Sequence, residues 1–255
     1  MEIIGRGFIA RNLEPLAASH PDALILAAGV SSTAGTSEVE FRREAELLES
    51  ALAKATADGR RLVFFSTASS GVYGAPGCGG REDEPVVAST PYAAHKLGLE
   101  ETVRESGADH LILRLSHLVG EHQRGHQLIP ALVAQIRGGV VQVRSGASRD
   151  LLDVADMVRI LDVLLETGVS RQVVNVASGH PVPIEAVLDH LELSLGLRAN
   201  REVTESTPGN GYVSTDRLAR LVPGLSGLGF GPDYYRRVIG ARLLAGLVGR
   251  SADRA

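Results

Sequence analysis

The sequence predicts an α/β fold, a doubly wound parallel sheet with a smaller second lobe, on three observations. Short apolar runs recur along the chain: ALILAA at 23–28, RLVFFS at 61–66, HLILRL at 110–115 and QVVNVA at 172–177. Runs that are apolar throughout, without alternation, suit strands buried on both faces. Longer segments with apolar residues at helical spacing separate them, and a glycine-rich turn follows the first strand. Strands alternating with helices give a parallel sheet covered on both sides.

The elements follow in order. Residues 1–4 read as a short strand, followed by the turn Gly5-x-Gly7-x-x-Ala10 and a first helix. A glycine turn running into a helix N-terminus suits a dinucleotide pyrophosphate. Gly5, Arg6, Gly7, Phe8 and Ile9 are therefore candidate cofactor contacts, with Ala28 and Gly29 at the end of the next strand. The fingerprint calls for an acid roughly 20 residues on, to hold the adenosine ribose. That distance lands in 23–27, and only Asp22 is near. Arg6 and Arg11 are available to a 2′-phosphate, although Arg11 also reads as part of a solvated helix face.

A helix is predicted over 38–57, then a strand that runs at 64–74 into small hydroxyl residues, FFSTASSGVYG. Ligands of open α/β sheets bind beyond the carboxyl ends of strands, so Ser69 or Ser70 is placed to bond a substrate oxygen. Residues 74–86 have the glycine, proline and charge of a surface loop. The helix over 90–106 has Thr90 as a plausible N-cap and Pro91 in its first turn. Tyr92 and Lys96, four apart, share one face of it. An ammonium beside a phenol favours the phenolate and lowers its pKa, which suits proton exchange near neutral pH.

After about residue 120 the pattern loosens. A helix at 127–137, a strand at 140–143 and a helix at 153–166 precede the strand at 172, and helices at 183–195 and 233–247 follow it. The predicted division is a dinucleotide-binding unit of 1–120 with 150–180, interleaved with a second lobe of 121–149 and 181–255.

Composition narrows the function. The 255 residues are 44% hydrophobic and 22% charged, with a formal net charge of −4. A mildly acidic chain without a basic stripe is a poor nucleic-acid binder. No apolar run approaches the roughly 20 residues that span a bilayer, and no signal peptide is visible. The single cysteine, Cys78, excludes a disulfide framework. His20, His122 and His126 form no convincing ligand set, so no metal is expected. A cytoplasmic protein is the expectation.

Taken in order, the segments GRGFIARNL, LAAGVSS, SSGVYG, REDEPVVASTPYAAHK, LILRLSHLVG, RDLLDVADMV, VVNVASG and LGFGPDY resemble an extended short-chain dehydrogenase/reductase of the nucleotide-sugar epimerase/dehydratase/reductase group. More narrowly, the chain resembles the short NDP-4-keto-6-deoxyhexose 4-ketoreductases of bacterial deoxysugar pathways. The resemblance implies a Rossmann-like sheet and a triad of Ser69, Tyr92 and Lys96, with Tyr92 and Lys96 also meeting the nicotinamide ribose. Ser69 is favoured over Ser70 because it stands three residues before Val72. Ser70 then becomes a substrate contact. His117 falls where the group carries Asn, and reads either as a ligand of the sugar or its diphosphate or as a polar pocket wall. Arg149 matches an arginine that meets the diphosphate, with a surface ion pair to Asp150 or Asp153 as the alternative.

Against that pattern the N-terminal half is truncated: the second and third strands and their helices are missing. If the first helix kept its face while the chain turned to the next strand, the crossover would be left-handed, against a rule obeyed in roughly 98% of cases. A shifted helix or a neighbouring subunit are the other solutions. The adenosine end has lost most of its wall and its acid, which favours loosely held NADPH, with NADH possible. The resemblance and the triad point to reduction of the keto group of an NDP-4-keto-6-deoxyhexose. The alternatives are an NAD-dependent nucleotide-sugar epimerase and a non-catalytic nucleotide-sugar or partner-binding protein. A homodimer through helices 38–57 and 90–106 is implied by the relatives.

Overall fold

The computed structural model describes residues 1–30, 37–75, 77–205 and 212–240, without the side chain of Ser70. Its main sheet has five parallel strands. In chain order they are β1 (Glu2–Ile4), β2 (Ala23–Leu26), β3 (Arg61–Thr67), β4 (His110–Leu115) and, after a long excursion, β8 (Gln172–Val176). Their spatial order is the chain order, β1-β2-β3-β4-β8, every neighbour parallel. The four runs read as buried strands all lie in this sheet, and β2 and β4 are buried along their whole length.

Helices cover both faces, and the alternation of side chains along β2 divides them. Leu24 and Leu26 share a core with α2 (Glu38–Ala57) and α4 (Pro91–Glu105), through Leu48, Ala51, Leu52, Leu99 and Val103. Ala23 and Ile25 face the other way. They share the larger core with α1 (Phe8–Leu13) and α6 (Val154–Glu166), through Phe8, Leu13, Met157, Ile160 and Leu161. The connections through α1 and through α2 both step one strand in the same direction, yet their helices lie on opposite faces. The two crossovers therefore have opposite hands. The connection through α4 shares the face and hand of α2, while α6, at the end of the long excursion to β8, lies with α1; among the single-helix connections α1 therefore departs from the hand of the other two. The contact with α6 holds α1 on its face.

The excursion between β4 and β8 builds two small sheets. One joins β5 (His117–Val119) to β7 (Ser148–Asp153), and β7 to β9 (Pro181–Pro183). The other pairs β6 (Val140–Arg144) with β10 (Asn200–Thr204). The helix α5 (Leu128–Arg137) leads into β6, and α7 (Ile184–Leu195) follows β9. Short helices α3 (Ser70–Tyr73) and α8 (Asp216–Leu221) complete the labelled elements. A further helix starts at residue 234; its predicted course past 240 lies outside the described residues. Among the described residues no helix is long and apolar enough to cross a membrane.

Candidate active site

The start of α4 forms as its sequence dictates. The Thr90 hydroxyl accepts from the Ala93 N–H at 3.1 Å, and Pro91 occupies the first turn, where it sacrifices no helix bond. This cap fixes the register that turns Tyr92 and Lys96 toward β3. Lys96 is 4% exposed. Its ammonium donates to the Phe65 carbonyl at 3.2 Å and lies 6.0 Å from the centre of the Tyr92 ring. The Tyr92 phenol faces the Thr67 hydroxyl at the end of β3.

Ser69 precedes α3, and its N–H donates to the Thr67 hydroxyl at 3.2 Å. Gly71 lets α3 lean on the first turn of α4. A Cβ there would meet the Thr90 hydroxyl at 2.9 Å, the Ala93 methyl at 3.1 Å and the Ser69 hydroxyl at 3.4 Å. The Ser69 hydroxyl thus stands against the helix that carries Tyr92. The side chain of Ser70, the other serine read from the sequence, lies outside the described residues.

The electrostatics correct one expectation. Lys96 does favour the Tyr92 phenolate, but burial of the phenol outweighs it and Glu44 opposes it, so the Tyr92 pKa is raised, not lowered. Glu44, on α2, is 2% exposed and escaped the sequence reading. One of its carboxylate oxygens accepts from Lys96 Nζ at 2.6 Å. The other pairs with His95 Nε2 at 2.9 Å and accepts from the Val30 N–H at 3.1 Å. Gly29 is open for this carboxylate: a Cβ on it would stand 2.2 Å from Glu44 Oε1. The legible signal was a carboxylate in the apolar stripe that continues through Leu48, Ala51, Leu52 and Ala55.

A second cluster stands at the same mouth of the sheet. Ser69, Ser116, His117, Ser148, Arg149 and Asp150 line one cavity of about 20 Å³. That is room for roughly one water molecule, so a sugar nucleotide enters only if the walls part. Tyr92 does not line it. Arg149 forms no ion pair among the described residues; its guanidinium donates to the Ser148 carbonyl at 2.7 Å. Asp150 instead accepts from the N–H groups of Ser178 and His180, and Asp153 caps α6. Burial lowers the Arg149 pKa, and Arg144 adds repulsion. Burial, with Arg149 beside it, pushes His117 down to about 4, leaving a neutral imidazole at pH 7. The Arg149 guanidinium has no carboxylate hydrogen-bonded to it among the described residues, and the Asp150 carboxylate in the same lining accepts from backbone N–H groups, so an anion at Arg149 would gain a charge-assisted partner.

The glycine turn also suits a dinucleotide. Gly5 has φ +139°, and a Cβ there would strike the Ala27 carbonyl oxygen at 2.5 Å, so glycine alone lets β1 turn this close to the end of β2. Gly7 is the N-cap of α1, and the space above it is bounded by Arg124 Nη2, 3.7 Å from where a Cβ would sit. Arg124 escaped the sequence reading because it belongs to a loop more than a hundred residues away. The Phe8 ring is buried in the core and Ile9 packs against it, so backbone N–H groups are what these two can offer. A groove of about 500 Å³ lined by Ile3, Gly5, Arg6, Ala10, Arg11 and Glu14 runs along the outer side of β1. Glu14 was not foreseen as part of it. The room beside the turn, the two arginines and the Gly5 constraint together fit a nicotinamide dinucleotide.

Residues 9–177 match the sequence profile of the NAD dependent epimerase/dehydratase family. The chain belongs to that family. Its members are nicotinamide-dependent enzymes, and the triad candidates and the cavity above all lie within or beside the matched span. Among curated proteins no sequence matches the chain. Its fold is shared by RMD from Pseudomonas aeruginosa, solved with NADPH, at 21% identity and a TM-score of 0.75 over 94% of this chain and 96% of that one. It is shared by the dTDP-glucose 4,6-dehydratase DesIV from Streptomyces venezuelae, solved with NAD, at 22% identity and a TM-score of 0.69 over 91% and 76%. The NDP-hexosamine 5,6-dehydratase TunA is similar at 24% identity and a TM-score of 0.71 over 86% and 76%.

Proposed function

We propose that the protein reduces the keto group of an NDP-4-keto-6-deoxyhexose with NADPH. The observation that carries this reading is a protonated Tyr92 phenol beside Lys96 and Thr67, at the end of the strand that leads to Ser69, with the small cavity of Ser69, His117 and Arg149 at the same end of the sheet. Gly5, Arg6, Gly7 and the N–H groups of Phe8 and Ile9 would hold the pyrophosphate, Ala28 and Gly29 would border the ribose side, and Lys96 would face the nicotinamide ribose. Bound there, the cofactor supplies a hydride. Tyr92 gives its proton to the carbonyl oxygen, and Ser69 donates a hydrogen bond that orients that oxygen. Arg149, with neutral His117, holds the diphosphate, and Ser70 contributes at the sugar. Two arginines against one carboxylate in the groove beside β1 favour a 2′-phosphate, so NADPH leads over NADH.

The test is direct. The protein and NADPH are incubated with a panel of keto-sugar nucleotides and the products identified by NMR. Tyr92→Phe is expected to slow the reduction by on the order of 10²–10⁴, and full turnover by that variant rejects the mechanism. The second reading, an epimerase, draws support from the family itself. An epimerase reuses its NAD in place, so stoichiometric NAD surviving gel filtration would favour it. The open groove beside β1 argues for release. The homodimer implied for α2 and α4 is a further part of this proposal, and light scattering is expected to give twice the mass of the chain; the mass of a single chain would reject it.

A further inference from the structure

We propose that Glu44 is a positioning residue of this site, a buried carboxylate that neutralises Lys96 and commits Tyr92 to the role of proton donor. This deepens the reductase reading and rests on it. The geometry is specific. The carboxylate meets the ammonium at 2.6 Å while its second oxygen is held by His95 at 2.9 Å and by the Val30 N–H at 3.1 Å. Phe41 stacks on His95 with ring centres 4.3 Å apart, which fixes the imidazole. Gly29 keeps open the space the carboxylate needs.

The consequence follows from charge. A lone ammonium beside a phenol would stabilise the phenolate. An ammonium paired with a carboxylate acts on the phenol only as a dipole, whose field falls off faster than that of a single charge. Burial then decides in favour of the neutral phenol. Among the described residues the charged groups that act on Tyr92 are Lys96 from α4 and Glu44 from α2, with His95 of α4 reaching it only through Glu44. The facing group on β3 is the Thr67 hydroxyl. A phenol kept neutral through physiological pH is ready to protonate a carbonyl oxygen, whereas alcohol oxidation needs the phenolate.

Phenolate absorbance is titrated in the wild type and in Tyr92→Phe, so that the difference isolates Tyr92, with no cofactor or substrate present. Glu44→Gln is expected to raise the Tyr92 ionisation constant at least about tenfold, a shift of one pH unit toward acid. Because Glu44→Gln leaves a buried ammonium unpaired, the comparison is repeated between Lys96→Met and Glu44→Gln/Lys96→Met. Tyr92 is expected to ionise at lower pH in the double variant. Unchanged titration in both comparisons overturns the proposal. If the titration moves as stated but no keto-sugar nucleotide is reduced, the charge role of Glu44 stands and the reductase reading falls. If reduction occurs and the titration does not move, the reverse holds.

Discussion

His117 and Arg149 show how little a single residue says before its neighbours are known. In the sequence both had two readings; in the structure Asp150 and Asp153 are occupied elsewhere, which removes the ion-pair reading of Arg149. The folded-state pKa of His117, about 4, lies below the unfolded value. The fold therefore favours the neutral ring, and this contribution to stability is present above the unfolded pKa of roughly 6.5 and is lost as pH falls from there toward 4. A diphosphate bound at Arg149, as proposed, would offset the guanidinium charge and raise the His117 midpoint, so that binding at acidic pH, near that midpoint, would take up a proton. NMR titration of the wild type against His117→Asn is expected to give a midpoint near 4 that moves up when uridine diphosphate is added. A midpoint that ignores the diphosphate would place the anion elsewhere. The site was legible where residues lie close in sequence, as with Thr90, Tyr92 and Lys96. For Glu44 only the burial was legible, from its place in the apolar stripe; its partner was not, because only packing brings α2 against α4.

At the scale of elements, α4 matters most, because it carries Tyr92 and Lys96. One turn after Lys96 its Glu100 is fully buried and receives the Arg114 guanidinium from β4, with Nη2 to Oε2 at 2.7 Å. Arg114 also donates to Tyr73 Oη at 2.6 Å, and that hydroxyl donates to Asn175 of β8 at 2.8 Å. This network runs along one face of the sheet, from α4 over β4 and β8 to α3, and fixes the rotation of α4 about its axis. Removing one partner leaves a buried charge bare, which typically costs about 3–5 kcal/mol. Arg114→Met is expected to lower stability by about that amount in denaturant unfolding, and Glu100→Gln/Arg114→Met to recover much of it. Equal losses in the single and double variants would mean that packing, not charge, sets the cost. The helices and the buried strands were legible from periodicity. The short pairings β5-β7-β9 and β6-β10 were not, because three to six residues carry too little pattern to name a partner.

Over the whole molecule, the missing strands put β1 at the sheet edge. The edge is three residues long and carries Glu2, ion-paired to Arg60 and Lys54, a short charged border that discourages pairing with another chain. The same truncation opens the groove of Arg6, Arg11 and Glu14 to solvent. Arg11→Ala is expected to weaken NADPH by about tenfold, roughly 1.4 kcal/mol, and to leave NADH nearly unchanged. Equal loss for both, measured by fluorescence titration, would remove Arg11 from the 2′-phosphate.

The sequence by itself determined the strands, the helices, the truncated N-terminal half and the local pairing of Tyr92 with Lys96, because periodicity, capping and glycine turns act over a few residues. The face on which α1 lies, the partner of the Lys96 ammonium and the direction of the Tyr92 pKa were decided by tertiary structure alone. Each depends on burial and on charges from distant segments, and those act only once the helices have packed on the sheet.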